Sequence, residues 1–286
     1  MKATRQYDAE MLKNEHLFRD PFYSRFNLRP FDLQLDDDIT KTYQFPTFYG
    51  DVTTAIGIFT CSSKKAKEMM PHPKMKPVIL MPGKALVIFS CYEYKNVMGI
   101  PGYNEIAMTI PIMVDPKVNV PILPMVMDGA FKKFGYYVFS MPVTSYENQL
   151  RGLGIWGLPK VVEDIDIYDD NKNCVTVAME DDGSKYFELR VPKCGKPTDF
   201  DVTSNLYSVL DNKLLQAETN FKAVFNVNKS SDIPSNESWL KLYDTPRGRI
   251  LKNLEIDEKP FQFRYAEHMT ACFDLPNPNY TVPFKF

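Results

Sequence analysis

Gly152-Leu153-Gly154-Ile155-Trp156-Gly157-Leu158-Pro159-Lys160 is the stretch on which the reading of this chain turns. A lysine stands directly after a proline, with Ile155, Trp156 and Leu158 before it and Val161 and Val162 after it. Lysine is a weak nucleophile at neutral pH, because a reference pKa near 10.4 leaves only about one amine in several thousand uncharged. Burial among apolar groups penalises the ammonium form and lowers a lysine pKa by up to about 3–5 units. These neighbours make a desolvated amine at Lys160 chemically reasonable. They equally fit a lysine that begins a strand with its ammonium in water, the ordinary state of the residue.

On either side of this segment the chain reads as strands. Residues 78–81, 85–94, 105–114 and 136–140 precede it, and 161–168, 175–179, 186–191 and 221–227 follow, all rich in β-formers. Prolines at 77, 82, 101, 111, 116, 121, 124 and 142 punctuate the first group, which suits short or edge strands rather than long helices. Gly83-Lys84 and Asp181-Asp182-Gly183-Ser184 read as hairpin connections. Ser62 or Ser63 is placed to cap a short helix that Pro71 would end. After Thr203-Ser204, the residues Leu206, Val209, Leu210, Leu214 and Leu215 recur near helical spacing and predict one amphipathic helix lying on a sheet. No repeat or Gly/Ser-rich linker divides the chain. The expected class is mainly β (α+β), an antiparallel barrel or sandwich with a few covering helices. Residues 1–45, charged and with a short helix expected near 8–18, are set apart as an N-terminal arm, leaving 46–286 as the domain.

Composition narrows the function. The 286 residues suffice to enclose a dry pocket. Lys and Arg total 34 against 36 Asp and Glu, with basic residues no more than paired, as at Lys64-Lys65, which argues against a nucleic-acid surface. No apolar run has membrane-spanning length, and the first residues lack the apolar core of a secretory signal, so a cytoplasmic location is expected. Five irregularly spaced cysteines read as reduced thiols, and His16, His72 and His268 lack ligand spacing, so no metal is expected. Sequence patterns for a nucleophilic-serine elbow, a phosphate-binding loop or a dinucleotide fingerprint are missing.

The Gly152–Lys160 segment resembles the signature of the acetoacetate decarboxylase family, in which Gly-Arg-Glu is followed by Pro-Lys-Lys and the first of the two lysines forms a Schiff base. Lys160 falls on that lysine. Upstream, Val87-Ile88-Phe89-Ser90 through Gly102-Tyr103-Asn104-Glu105 is similar to the family's paired strands, where Tyr-x-Glu sets an acidic residue facing the lysine, and Glu105 falls there. Leu240-Lys241-Leu242-Tyr243-Asp244 and Phe273-Asp274-Leu275-Pro276 are similar to its closing strands. The chain also departs from the pattern. Val161 replaces the second lysine, Gly152-Leu153-Gly154 replaces Gly-Arg-Glu although Arg151 precedes it, Ser90 stands at a further acidic position, and the first-strand arginine has no counterpart near Asp51-Val52-Thr53.

The resemblance implies a barrel or cone fold and a cofactor-independent lyase that works on a small keto-acid or carbonyl substrate through an imine on Lys160. Glu105 would exchange protons with the imine or enamine; read as structure alone, it begins a strand with its carboxylate in water. Decarboxylation of an acetoacetate-like β-keto acid is the leading expectation. An aldolase-dehydratase using pyruvate-like keto acids and aldehydes is the rival, and a non-catalytic binding or assembly protein the third reading. The resemblance further implies a homo-oligomer and neither metal nor organic cofactor. Tyr103, Ser90 and Arg151 could line the pocket or bind a substrate carboxylate but are not assigned to catalysis, and Glu93 should point away from Ser90 because the offset between them is odd.

Overall fold

The computed structural model describes residues 1–116, 131–234 and 237–283; Pro121 and Pro124 of the proline-punctuated stretch lie outside them. A hairpin of β1 (Arg29–Gln34) and β2 (Thr40–Phe45) leads into the long strand β3 (Thr47–Ser62) and the short helix α1 (Ser63–Glu68). Next come β4 (Met75–Pro77), β5 (Ile79–Met81), β6 (Lys84–Val97), β7 (Tyr103–Val114) and β8 (Phe134–Val143). Helix α2 (Tyr146–Arg151) runs directly into a π-helical turn, Gly152–Trp156. Then follow β9 (Lys160–Val162), β10 (Asp164–Asp170), β11 (Asn173–Met179), β12 (Lys185–Pro192), β13 (Lys196–Leu210), β14 (Lys213–Lys229), β15 (Leu240–Leu242), α3 (Pro246–Lys252) and β16 (Pro260–Pro283).

The strands β7, β6, β3, β16, β14, β13 and β8 pair in that order, and β7 pairs again with β8, so seven strands close into a barrel. Closure removes the exposed edges that an open sheet of this width would present. All pairs around the ring are antiparallel except β13 with β8, and β9 extends the sheet from β8 in parallel. A separate four-stranded sheet, β10-β11-β12-β15, covers one outer face. The mainly β barrel with a few helices is the expected class.

Strand β7 shows how one strand serves both layers. It is buried along almost its whole length. Ile106, Met108, Ile110 and Ile112 join the core shared with the four-stranded sheet, where Phe89 of β6 meets Phe187 of β12 with ring centroids 5.1 Å apart. Tyr103 and Ala107, on the alternate face, belong to the second core inside the barrel with Trp156, Leu158 and Val143. Glu105 has the parity of this inner set, so a carboxylate points where the strand's own pattern places apolar groups.

Two expectations about local structure are corrected. The helix expected after Thr203-Ser204 is instead the β13–β14 hairpin, with Leu210 paired to Lys213 and Val209 to Leu214. Asp211 and Asn212 both take positive φ (48° and 57°), the geometry of a type I′ turn, whose twist matches that of the flanking strands. Val202, Thr203, Tyr207 and Val209 favour extended backbone, and the apolar spacing that suggested a helix belongs to two strands folded back on each other. The helix expected near 8–18 is only a single 3-10 turn, Glu15–Leu17. Asn14 turns its amide to the end of β6 and the β6–β7 connection, donating to the Val97 carbonyl (2.8 Å) and accepting from Gly99 N–H (2.9 Å), which competes with helical hydrogen bonding. The arm also packs on its own chain: Phe22, Tyr23, Tyr43 and Phe45 are buried, and Lys41 forms a buried ion pair with Glu147 of α2 at 2.7 Å.

A β-branched residue in the left-handed conformation at position 212 costs roughly 1–2 kcal/mol, whereas glycine takes it freely. Asn212→Val is expected to lower stability by about that amount and Asn212→Gly to leave it equal or higher, measured by urea denaturation.

Candidate active site

Lys160 opens β9 and Glu105 lies near the start of β7, with β8 between them. Met141 of β8 is registered with Lys160 and Val143 with Glu105, two residues apart on β8, so both side chains leave the same face of the sheet. Lys160 Nζ donates to Glu105 Oε2 at 2.6 Å, and both residues are almost wholly buried, at 6% and 4% exposure. Across the β6–β7 ladder Tyr92 is paired with Glu105 and Tyr94 with Tyr103. The Tyr94 hydroxyl donates to Glu105 Oε1 at 3.3 Å, and the Tyr103 ring centroid lies 5.8 Å from Lys160 Nζ. Aromatic walls therefore exclude water from the pair and leave the carboxylate few other partners.

The backbone at Lys160 is held from two sides. Gln149 of α2 donates through Nε2 to the Lys160 carbonyl at 3.1 Å, and Met141 N–H bonds the Pro159 carbonyl at 3.2 Å. Gly157 ends the π-helical turn in the left-handed region (φ 59°), where an added Cβ would come within 2.3 Å of the Val209 carbonyl oxygen. Here glycine is required by conformation and by space alike. Trp156 anchors the turn by stacking on Phe273 (4.6 Å between centroids) and donating to the Asp274 carbonyl.

Burial is the largest influence on the Lys160 amine and holds it below ordinary lysine basicity. The Glu105 carboxylate pulls the other way, and the nearby Arg151 guanidinium adds to the lowering. The position after the lysine, Val161, brings no charge; the second cation comes instead from the last residue of α2. Arg151 is completely buried. Its Nη2 donates to Thr47 Oγ1 at 2.8 Å, and its guanidinium carbon lies 4.5 Å from the centroid of Tyr43. Its Nε and Nη1 have no hydrogen-bond partner among the described residues. A buried guanidinium with two idle donors is costly unless a ligand or water completes it.

The structure thus brings together Lys160 and Glu105, the two residues assigned to catalysis in the sequence, with Arg151 and Tyr103 of the pocket candidates, and adds Tyr94. Ser90 lines the same inner face of β6, and Glu93 belongs to the opposite face, as its offset implied. Arg151 gave a weak signal because Tyr146–Arg151 looks like a polar surface stretch. The helix-start signal was present, since Ser145 caps α2 by accepting from Asn148 N–H, but nothing local marks Glu147, Asn148 and Arg151 as buried. Among the described residues no cluster of three His, Cys, Asp or Glu side chains is arranged to hold a metal ion, and no helix is long and apolar enough to cross a membrane.

A family model described as acetoacetate decarboxylase (ADC) matches residues 36–222. Among solved structures, the acetoacetate decarboxylase of Legionella pneumophila subsp. pneumophila str. Philadelphia 1 is similar at a TM-score of 0.58 and 13% identity, over 83% of this chain and 87% of that one. The enduracididine biosynthesis enzyme MppR complexed with pyruvate is similar at 0.54 and 13%, over 83% and 90%. An acetoacetate decarboxylase-like enzyme from Sphingomonas wittichii RW1 is similar at 0.51 and 12%, over 84% and 93%. At such identities the structural likeness speaks for the fold alone. No curated protein sequence matches the chain.

An amine reacts in its neutral form, so its reactivity rises as pH passes upward through its pKa. Removing a cation that lowers that pKa must move the midpoint up, and removing an anion that raises it must move the midpoint down. Arg151→Met is therefore expected to shift the pH midpoint of Lys160 acetylation upward and Glu105→Gln downward, read by mass spectrometry of competitively acetylated protein. Shifts of the same sign would refute this balance of charges.

Proposed function

The chain belongs to the acetoacetate decarboxylase family, and on that premise we propose that it is a Schiff-base-forming lyase that decarboxylates a small β-keto acid on Lys160. The observation that carries this reading is the buried Lys160 amine, 2.6 Å from the Glu105 carboxylate and held below ordinary lysine basicity. Few structural roles require a lysine there, since an ion pair taken out of water seldom stabilises a fold more than apolar side chains of similar size would.

Glu105 takes a proton from the ammonium, and the neutral Nζ adds to the ketone carbon. Glu105 returns that proton to the carbinolamine hydroxyl, which leaves as water, and a protonated imine remains. The electrons of the bond to the carboxylate carbon flow into the C=N⁺ group, CO2 departs and a neutral enamine remains. Glu105 relays a proton from solvent to the enamine carbon, and water then hydrolyses the protonated imine to release the ketone and restore the ammonium. Tyr94 keeps Glu105 directed at Nζ, and the aromatic walls keep bulk water from hydrolysing intermediates early. The reading carries with it a cytoplasmic homo-oligomer that needs no metal or organic cofactor.

One observation favours a second reading. The idle Nε and Nη1 of Arg151 suit a carboxylate that stays on the substrate, as in condensation of a pyruvate-like keto acid with an aldehyde followed by dehydration. A cation held on a departing carboxylate stabilises the ground state more than neutral CO2, which slows decarboxylation.

Borohydride added with acetoacetate or pyruvate should leave one covalent adduct on Lys160 and none on Lys160→Ala, scored by peptide mass. An absent adduct with every keto acid tried would point to a non-catalytic protein. CO2 release from acetoacetate supports decarboxylation; no CO2 from any β-keto acid, with condensation of pyruvate and an aldehyde, supports the second reading. For a substrate that keeps its carboxylate, Arg151→Met should raise KM by about 10–100-fold, the worth of a hydrogen bond to a charged group.

A further inference from the structure

Gly152 follows Arg151 at the junction of α2 and the π-helical turn. Its backbone is ordinary right-handed helix (φ −61°, ψ −47°), so conformation does not call for glycine. In that conformation glycine is locally less stable than alanine, because it loses more backbone freedom on folding. The reason for it is spatial. A Cβ at Gly152 would fall 2.3 Å from Lys160 Cδ, 2.7 Å from Cε and 2.8 Å from Cγ, closer than carbon atoms approach. Gly157, by contrast, needs glycine for its positive φ.

We propose that Gly152 is the positioning residue for the Lys160 amine: its bare Cα forms the groove along which the lysine stem runs, fixing where Nζ meets Glu105 and the substrate. The assignment rests on the imine-forming reading above and deepens it. The lysine has little other freedom. Its backbone is clamped by Gln149 and by the bond from Met141 to Pro159, and its head is held by Glu105. Leu158 N–H donates to the Gly152 carbonyl at 3.0 Å, tying the groove to the strand that carries the lysine. A methyl group at position 152 must therefore be accommodated by the middle of the lysine stem, which swings Nζ away from Glu105. A displacement near 1 Å at a reacting atom costs on the order of 100-fold in rate.

The test combines borohydride trapping with a thermal double-mutant cycle on the full chain: wild type, Gly152→Ala, Lys160→Ala and both together. Gly152→Ala is expected to trap keto acid on the order of 100-fold more slowly than wild type, with a shifted pH midpoint, because the amine leaves its buried place beside the carboxylate. In the cycle, the alanine at 152 should lower the thermal midpoint when Lys160 is present and lower it less, or raise it, when Lys160→Ala has emptied the groove. Should Gly152→Ala alone fail to fold, recovery of folding in the double variant supports the same contact. Additive midpoints overturn the inference, and so does a coupled cycle in which Gly152→Ala traps at the wild-type rate and pH midpoint, since a purely structural contact would not move the chemistry. Failure of wild type to trap any keto acid sinks the imine-forming reading instead, and with it the positioning role, whereas the thermal cycle still reports whether the groove exists.

Discussion

A buried ammonium facing a buried carboxylate is the constraint around which this molecule is arranged. Desolvation disfavours both charges, and their mutual attraction returns only part of that cost. For Lys160 desolvation is the stronger influence, so the amine is held below ordinary basicity even with Glu105 2.6 Å away. An amine held below ordinary basicity is closer to the neutral form that a nucleophilic lysine needs. The pair stays dry because Tyr92, Tyr94 and Tyr103 line the inner faces of β6 and β7, and because Trp156 and Leu158 close the turn that precedes the lysine.

Barrel closure turns this local chemistry into fixed geometry. Lys160 and Glu105 are 55 residues apart in sequence, and only the added pairing of β7 with β8, followed by the parallel pairing of β8 with β9, sets them opposite each other. Side chains alternate along a strand, so a one-residue slip in either ladder would turn one of the two groups out of the barrel. The four-stranded sheet contributes by packing Phe187 against Phe89 of β6 and Leu189 against Gly57 of β3 on the outer face, which leaves the inner face free to carry polar groups.

Charge around the lysine is supplied differently from the pattern that the sequence resembles. The residue after Lys160 is Val161, and the second cation reaches the site from α2, as Arg151. A guanidinium differs from an ammonium in the fork of donors it offers, and two of those donors are idle in Arg151. The same residue thus lowers the basicity of the amine and presents a complementary surface to a carboxylate. Under the proposed function, the carboxylate it would meet, one that leaves or one that stays, separates the two chemistries open to an imine on Lys160.

Much of this was readable from residues near one another in the chain. Strand-forming runs, proline punctuation and the turns at Gly83 and Asp181–Ser184 marked a mainly β fold, because extended backbone and tight turns depend on neighbouring residues. The Pro159-Lys160 segment and Glu105 were legible as well. At Leu206–Leu215 local spacing misled, since five apolar residues fit one helix face or two paired strands equally well, and the left-handed turn at Asp211-Asn212 decided between them. The burial of Arg151 and the meeting of Gly152 with the Lys160 stem had no local signature at all. The sequence by itself determined which groups can do chemistry and which segments are extended. Only the tertiary structure decided which of those groups share a dry space, because desolvation and contact depend on distances set by chain closure and not by separation along the chain.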